Sequence, residues 1–192
     1  MKKILCLLTA CVAVFVLNSC GSKAQELEVS FSYTRQAGPG SNQYAVWIEN
    51  AQGEVVRTLF VTAFTSKGRS RNGQPAQRGY TFRPSCVPTW VSHVRAESLS
   101  DAQMDAFSGA TPGESGPQTF TWDFKDQNGQ AVPAGQYKLF VEATLLNDTV
   151  ATWSGAFSTG DKPGAVTLQQ VVNIPLESSH KDMVTDVKAT LK

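Results

Sequence analysis

The sequence predicts an all-β fold, an antiparallel β-sandwich with one long basic loop and a short helical insertion. Leu27, Val29, Phe31 and Tyr33 alternate with Glu28, Ser30, Ser32 and Thr34, the period of two that a half-buried strand requires. Turn sequences such as Asn50-Ala51-Gln52-Gly53-Glu54 and Asp126-Gln127-Asn128-Gly129-Gln130 separate further runs rich in β-branched and aromatic residues. About seven or eight short runs at this spacing suit a sandwich.

The first run is residues 27 to 34. Gln43 to Asn50 forms the second strand and Val55 to Thr65 the third, apolar enough to be central. The turn between them leaves Gly53 free to take positive φ. From Lys67 to Gly79 the chain is basic, Gly-rich and without periodicity, which predicts a long loop. Pro88 is placed to start a short helix carrying Trp90, Val91 and Val94. Ser100 as N-cap and Gln103 in the capping-box position predict another helical turn, ending near Phe107. The β pattern then returns. Phe120, Trp122 and Phe124 alternate with polar residues, and residues 136 to 145 place Tyr137, Leu139, Val141 and Ala143 on one face with Phe140 on the other. Residues 149 to 157, 166 to 174 and 183 to 191 supply the remaining strands; Trp47 and Trp153, inside strand patterns, are core residues.

The N-terminus is not part of this fold. Met1-Lys2-Lys3 followed by an apolar run to Leu17 reads as a secretion signal, residues 1 to 19, and the run is shorter than the roughly 20 residues that span a bilayer. Leu17-Asn18-Ser19-Cys20 resembles the lipobox of bacterial lipoproteins, which implies an acylated Cys20, a tether through residue 26 and a domain of residues 27 to 192 held at a membrane by its lipid. Such a chain resides in the cell envelope, in the periplasm or at the cell surface. Cleavage removes Cys6 and Cys11 and acylation consumes Cys20, so Cys86 is left alone and reads as a small buried residue. Of the 17 basic residues, loss of Lys2 and Lys3 leaves 15 against 16 acidic ones, a balance that argues against nucleic acid as a partner. His93 and His180 have no Cys, Asp or Glu at ligand spacing, which argues against a metal site, and no nucleophile elbow, P-loop or dinucleotide fingerprint occurs. Asn147-Asp148-Thr149 reads as a turn.

Residues 121 to 143, "TWDFKDQNGQAVPAGQYKLFVEA", resemble the immunoglobulin-like hairpin of bacterial secreted and flagellar hook-cap proteins. The resemblance implies an Ig-like sandwich and carries no chemistry, because sandwiches host many functions.

Chemistry enters with Asp105-Ala106-Phe107-Ser108-Gly109-Ala110-Thr111. This order resembles the flavinylation motif of FMN-carrying subunits in sodium-pumping NADH:quinone reductase and Rnf complexes. It implies FMN joined through its phosphate to the Thr111 hydroxyl by an exported FAD:protein FMN transferase, with Asp105 a recognition residue. Ser108, Gly109 and Ala110 keep the strip thin, and Gly109 permits backbone shapes that other residues resist. Phe107 and Pro112 depart from that motif. The other reading of the same residues is a helix C-terminus running into a turn.

The mature chain as a whole is similar to a bacterial family of predicted periplasmic proteins of unknown function. Its pattern appears here as residues 46 to 50 (VWIEN), 58 to 62 (TLFVT), the basic loop, 83 to 90, 105 to 112 and 122 to 137. Members are often encoded beside PepSY-domain membrane proteins and flavin transferases, and Pro after the Thr is a feature of that family. The expectation is a lipid-anchored redox carrier, more than an enzyme with its own substrate, that exchanges electrons with a PepSY-type or other membrane redox protein. Trp90, Trp122 and Phe107 are candidates to stack on the flavin, and Arg69, Arg71, Arg78 or Arg83 to stabilise its phosphate or reduced form. The competing class is a non-catalytic Ig-like binding or structural lipoprotein.

Overall fold

The computed structural model describes residues 26–37, 42–145, 150–173 and 182–192. The expected signal segment, Cys20 with the expected tether to residue 25, the turn expected at 147–149 and His180 lie outside them.

The strands are β1 (Leu27–Tyr33), β2 (Asn42–Asn50), β3 (Val55–Thr62), β4 (Arg69–Arg71), β5 (Gln74–Gln77), β6 (Ser108–Gly109), β7 (Gly116–Trp122), β8 (Gln136–Leu145), β9 (Val150–Ser158), β10 (Gly164–Ala165), β11 (Gln169–Asn173) and β12 (Val184–Leu191). Between β3 and β7 stand α1 (Ala63–Lys67), α2 (Gly79–Phe82), α3 (Pro88–His93), a 3-10 turn at Ala96–Ser98 and α4 (Asp101–Asp105). One sheet runs β10-β12-β1-β7 and the other β11-β9-β8-β2-β3-β6, while β4 and β5 pair alone.

The two sheets form an antiparallel sandwich with an immunoglobulin-like centre. β1 pairs with β7 as strands B and E do, and β9-β8-β2-β3 follow the order G-F-C-C′. Tyr137 Oη donates to the Pro133 carbonyl at 2.6 Å, the tyrosine corner of such folds. Alternation built this core as expected: Leu27, Val29, Phe31 and Tyr33 point inward, at most 3% exposed, to meet Tyr44, Val46, Ile48, Leu139 and Val141.

Three local expectations change. The 121–143 segment is paired only across its turn, where Lys125 bridges Ala131 and Val132 N donates to the Phe124 carbonyl, because its outer arms, β7 and β8, belong to different sheets. Phe124, at φ 54°, turns the chain out of the first sheet, and the tyrosine corner fixes its entry into the second. The third strand stops at Thr62, because Thr62 and Thr65 both donate to Gln43 Oε1, at 2.5 and 3.0 Å, and this winds the chain into α1. The basic loop is the β4–β5 hairpin: Asn72 and Gly73 both take positive φ, 50° and 74°, the two left-handed positions of a tight hairpin turn.

The helical insertion has a larger part than a connection. It covers the outer face of the second sheet and closes a second apolar cluster, in which Ala45, Trp47, Val61 and Phe140 meet Val87, Trp90, Ala96, Met104 and Phe107. Trp47 stacks on Phe140 at 4.9 Å and 6°. Strand β2 is therefore buried on both faces rather than one. The seal over this face includes one carboxylate: Glu142, fully buried, accepts from the Thr89 and Trp90 N–H groups at 3.0 and 2.9 Å, at the free donors of α3. Burial raises its pKa above the usual carboxylate value, and those two donors oppose the rise.

Candidate functional site

The predicted capping box forms: Ser100 Oγ accepts from Gln103 N at 3.3 Å, and Gln103 Oε1 accepts from Ser100 N at 2.9 Å. Helix α4 therefore starts where the sequence places it and buries Met104. At its end Asp105 stays exposed and pairs with Lys67 at 2.6 Å. Phe107 turns inward, 8% exposed, with its ring edge-on to Trp90 at 5.9 Å.

Ser108 and Gly109 then lie as β6 beside β3, the one parallel pairing among the described strands, with Ser108 opposite Val61 and Gly109 opposite Thr62. Val61 N donates to the Phe107 carbonyl at 3.1 Å and leads into this pairing. Ser108 Oγ sits 2.5 Å from both the Met104 carbonyl and Ser66 Oγ, so its hydroxyl ties β6 to α4 and α1. A Cβ on Gly109 would stand 2.2 Å from Phe60 Cε2, so the backbone rests on that ring. This is a reason for Gly that the sequence does not disclose.

Ala110 is exposed and Thr111 half-buried, at the edge of the second sheet beyond its last pairing. The Thr111 hydroxyl lies 3.4 Å from the Asn42 carbonyl, longer than a good hydroxyl hydrogen bond. One residue on, Arg35 Nη1 donates to the Pro112 carbonyl at 3.1 Å, and Arg35 N donates to Ser115 Oγ at 2.9 Å. Arg35, just past β1, thus sets an exposed guanidinium on the carbonyl of the residue that follows Thr111. Sequence order does not disclose this contact, because 77 residues separate Arg35 from Pro112.

The residues suit the phosphate end of FMN: a loosely held hydroxyl, a small exposed neighbour and a cation. The proposed stacking rings are placed differently. Trp90 and Trp122 are 0% exposed, one in each core cluster, and neither presents a face to a group on Thr111. Among the arginines, Arg78 is tied to the Ala96 and Leu99 carbonyls and to Asp101, which fastens the insertion, while Arg69 and Arg71 belong to the β4–β5 hairpin. Cys86 is buried, and desolvation pushes its thiol up to about 11.

A cleft of about 820 Å³ opens beside this segment, between the β2–β3 turn, the insertion and the 127–128 turn. Ala106 and Phe107 form part of its wall, as does His93. His93 Nδ1 lies 2.5 Å from Glu49 Oε1, and that oxygen also accepts from Trp47 Nε1 at 2.6 Å.

A family model described as a predicted periplasmic protein (DUF2271) matches residues 24–169. The chain belongs to this family. The DUF2271 match takes in β1 through the first residue of β11, and with them the 105–112 segment, Arg35 and the cleft. Membership supports a periplasmic location. No curated protein and no solved structure matches the chain. Among the described residues no helix is long and apolar enough to cross a membrane.

Proposed function

We propose that this DUF2271 protein is an envelope lipoprotein, anchored through acylated Cys20, that carries FMN on Thr111 and relays electrons between a membrane flavoprotein or PepSY-type partner and an acceptor outside the cytosol. The observation that carries the reading is the Asp105-to-Thr111 order, ending in a half-buried Thr whose hydroxyl is weakly bonded and whose neighbour Pro112 carries the Arg35 guanidinium on its carbonyl. Attachment by an FAD:protein FMN transferase breaks the pyrophosphate bond of FAD and makes a phosphoester at Thr111 Oγ; AMP leaves and the hydroxyl proton is released. The flavin, when bound, supplies one- and two-electron transfer. This chain's own residues present the hydroxyl, keep the strip narrow through Gly109 and Ala110, offer Asp105 for recognition and set Arg35 against the phosphate charge.

The test is intact mass and in-gel flavin fluorescence of the protein exported together with an active FAD:protein FMN transferase, compared with Thr111→Ala. The expected result is a gain of one FMN moiety that the variant lacks. No gain with a transferase shown to be active on another substrate sinks the flavin reading and favours an Ig-like binding module.

A further inference from the structure

We infer that the β4–β5 hairpin and α2 form a docking face for an anionic phospholipid surface. The inference starts from how charge is distributed along the chain. Seven of the 17 basic residues and none of the 16 acidic ones fall between Val55 and Ala96. Two of the seven are placed elsewhere: Arg57 Nη1 donates to the Asp126 carbonyl at 2.8 Å, and Arg95 lies on the wall of the cleft. The other five, Lys67, Arg69, Arg71, Arg78 and Arg83, stand on the hairpin or at the ends of α1 and α2, which flank it. Asp105 pairs with Lys67 and Asp101 with Arg78, at 2.6 and 2.8 Å, so three of the five charges are left over. Neither Arg69 nor Arg83 has an acidic partner among the described residues.

The backbone presents these charges outward. β4 and β5 pair only with each other, so the hairpin extends neither sheet, and Gln74–Gln77 is exposed along its whole length. Its root is held close. An added Cβ on Gly68 would stand 1.4 Å from the Gln77 carbonyl oxygen, and one on Gly79 2.1 Å from that of Phe64. Helix α2 then ends in Phe82, a large ring 53% exposed, immediately before Arg83. Cations without fixed acidic partners beside an exposed ring match a lipid surface, where phosphates meet the cations in any lateral arrangement and the acyl boundary takes the ring. An acidic peptide satisfies the arginines but gives the ring no apolar layer. The face adjoins Asp105 through Lys67, so docking brings the 105–111 segment to the membrane, although the inference does not depend on flavin attachment.

The experiment uses residues 21–192, secreted behind a cleavable signal, which hold every described element and lack Cys20. This chain carries 15 basic against 16 acidic residues, so its overall charge does not draw it to an anionic surface. Cosedimentation with phosphatidylglycerol vesicles is compared with cosedimentation with phosphatidylcholine vesicles. At about fivefold per charge, three charges should make partitioning into phosphatidylglycerol about a hundredfold stronger. Salt at about 1 M, where the screening length is about 3 Å, should abolish the difference. Arg69→Gln should weaken binding to phosphatidylglycerol about fivefold. Lys188→Gln, which removes an exposed charge from β12 in the other sheet, should leave it unchanged. Phe82→Ser should lower binding without altering its dependence on salt. Equal partitioning into the two kinds of vesicle, or none into either, overturns the proposal. Equal losses with Arg69→Gln and Lys188→Gln overturn the assignment to this face. Retention on immobilised polyglutamate without binding to phosphatidylglycerol gives the arginines to an acidic protein instead. The comparison of vesicles uses the native side chains, so it decides the question even if a variant does not fold.

Discussion

Gly109→Ala isolates one steric contact at the centre of the candidate segment. The added Cβ would stand 2.2 Å from Phe60 Cε2, where ordinary contact begins at 3.4 Å, so ring or strand must yield by about 1.2 Å. Phe60 has little room to retreat. It stacks on Tyr44 at 4.9 Å and 19°, packs against Phe120 at 5.2 Å, and Tyr44 is itself 0% exposed. Overpacking of this kind costs about 1–3 kcal/mol. If the ring moves instead, a stacked aromatic pair is weakened, worth about 0.5–1.5 kcal/mol. Taking about 2 kcal/mol, and about 2–4 °C per kcal/mol for a domain of this size, the expected loss in Tm is roughly 4–8 °C. Calorimetry or urea unfolding reads it, with Gly113→Ala as the control: that glycine has nothing within 4 Å of an added Cβ, and its substitution should stay within about 0.5 kcal/mol. Equal stability of the two variants would refute the packing argument and return Gly109 to the role of a merely flexible link.

Other changes separate recognition from folding. Asp105→Asn breaks an ion pair whose side chains are 60% and 47% exposed, so stability should not change measurably, and any loss of flavin attachment then reports recognition. Tyr137→Phe removes the 2.6 Å bond to the Pro133 carbonyl and should cost about 1 kcal/mol in urea unfolding. Cys86, buried with its thiol pushed up to about 11, should resist alkylation at pH 8 in the native protein and react fully in denaturant. Glu142, whose pKa folding raises, binds more protons in the folded chain than in the unfolded one. Its contribution is therefore greatest below the unfolded value of 4.5 and is lost as pH rises through the folded value, so Glu142→Gln should flatten the decline of Tm above pH 4.5.

The sandwich was legible because its cause is local. Alternation assigns each inward residue of β1 and β8, Ser100 and Gln103 cap α4, and Gly53 and Gly129 turn with φ of 79° and 78°. The β4–β5 hairpin was read as a loop: Asn72-Gly73 marks its turn, but its strands are short and polar and give no hydrophobic period to read. What alternation could not show is the layer outside the second sheet. Trp47 and Trp90 lie 43 positions apart and share the second cluster only because the insertion folds back over β2 and β8.

The same distinction divides the candidate site. Thr111, Asp105 and the small residues between them are read from order alone, because the proposed attachment would need a hydroxyl in a narrow strip. Their supports come from elsewhere in the chain: Phe60 beneath Gly109, Ser66 beside Ser108, Asn42 behind Thr111 and Arg35 against Pro112. Three of these lie on or just beyond the strands and helix that form the near edge of the second sheet, while Arg35 comes from the first. The segment therefore straddles the seam between the sheets. Thr111 at such a seam has its backbone between the two sheets while its hydroxyl, 3.4 Å from the Asn42 carbonyl, is weakly held, a placement that would give a modifying enzyme access under the proposed reading. Arg35→Ala is the variant that reports on this arrangement: it should leave the fold intact, since the guanidinium is exposed, and lower the yield of attached flavin under conditions where Thr111→Ala abolishes it. A full yield with Arg35→Ala would assign that side chain to bracing Pro112 alone.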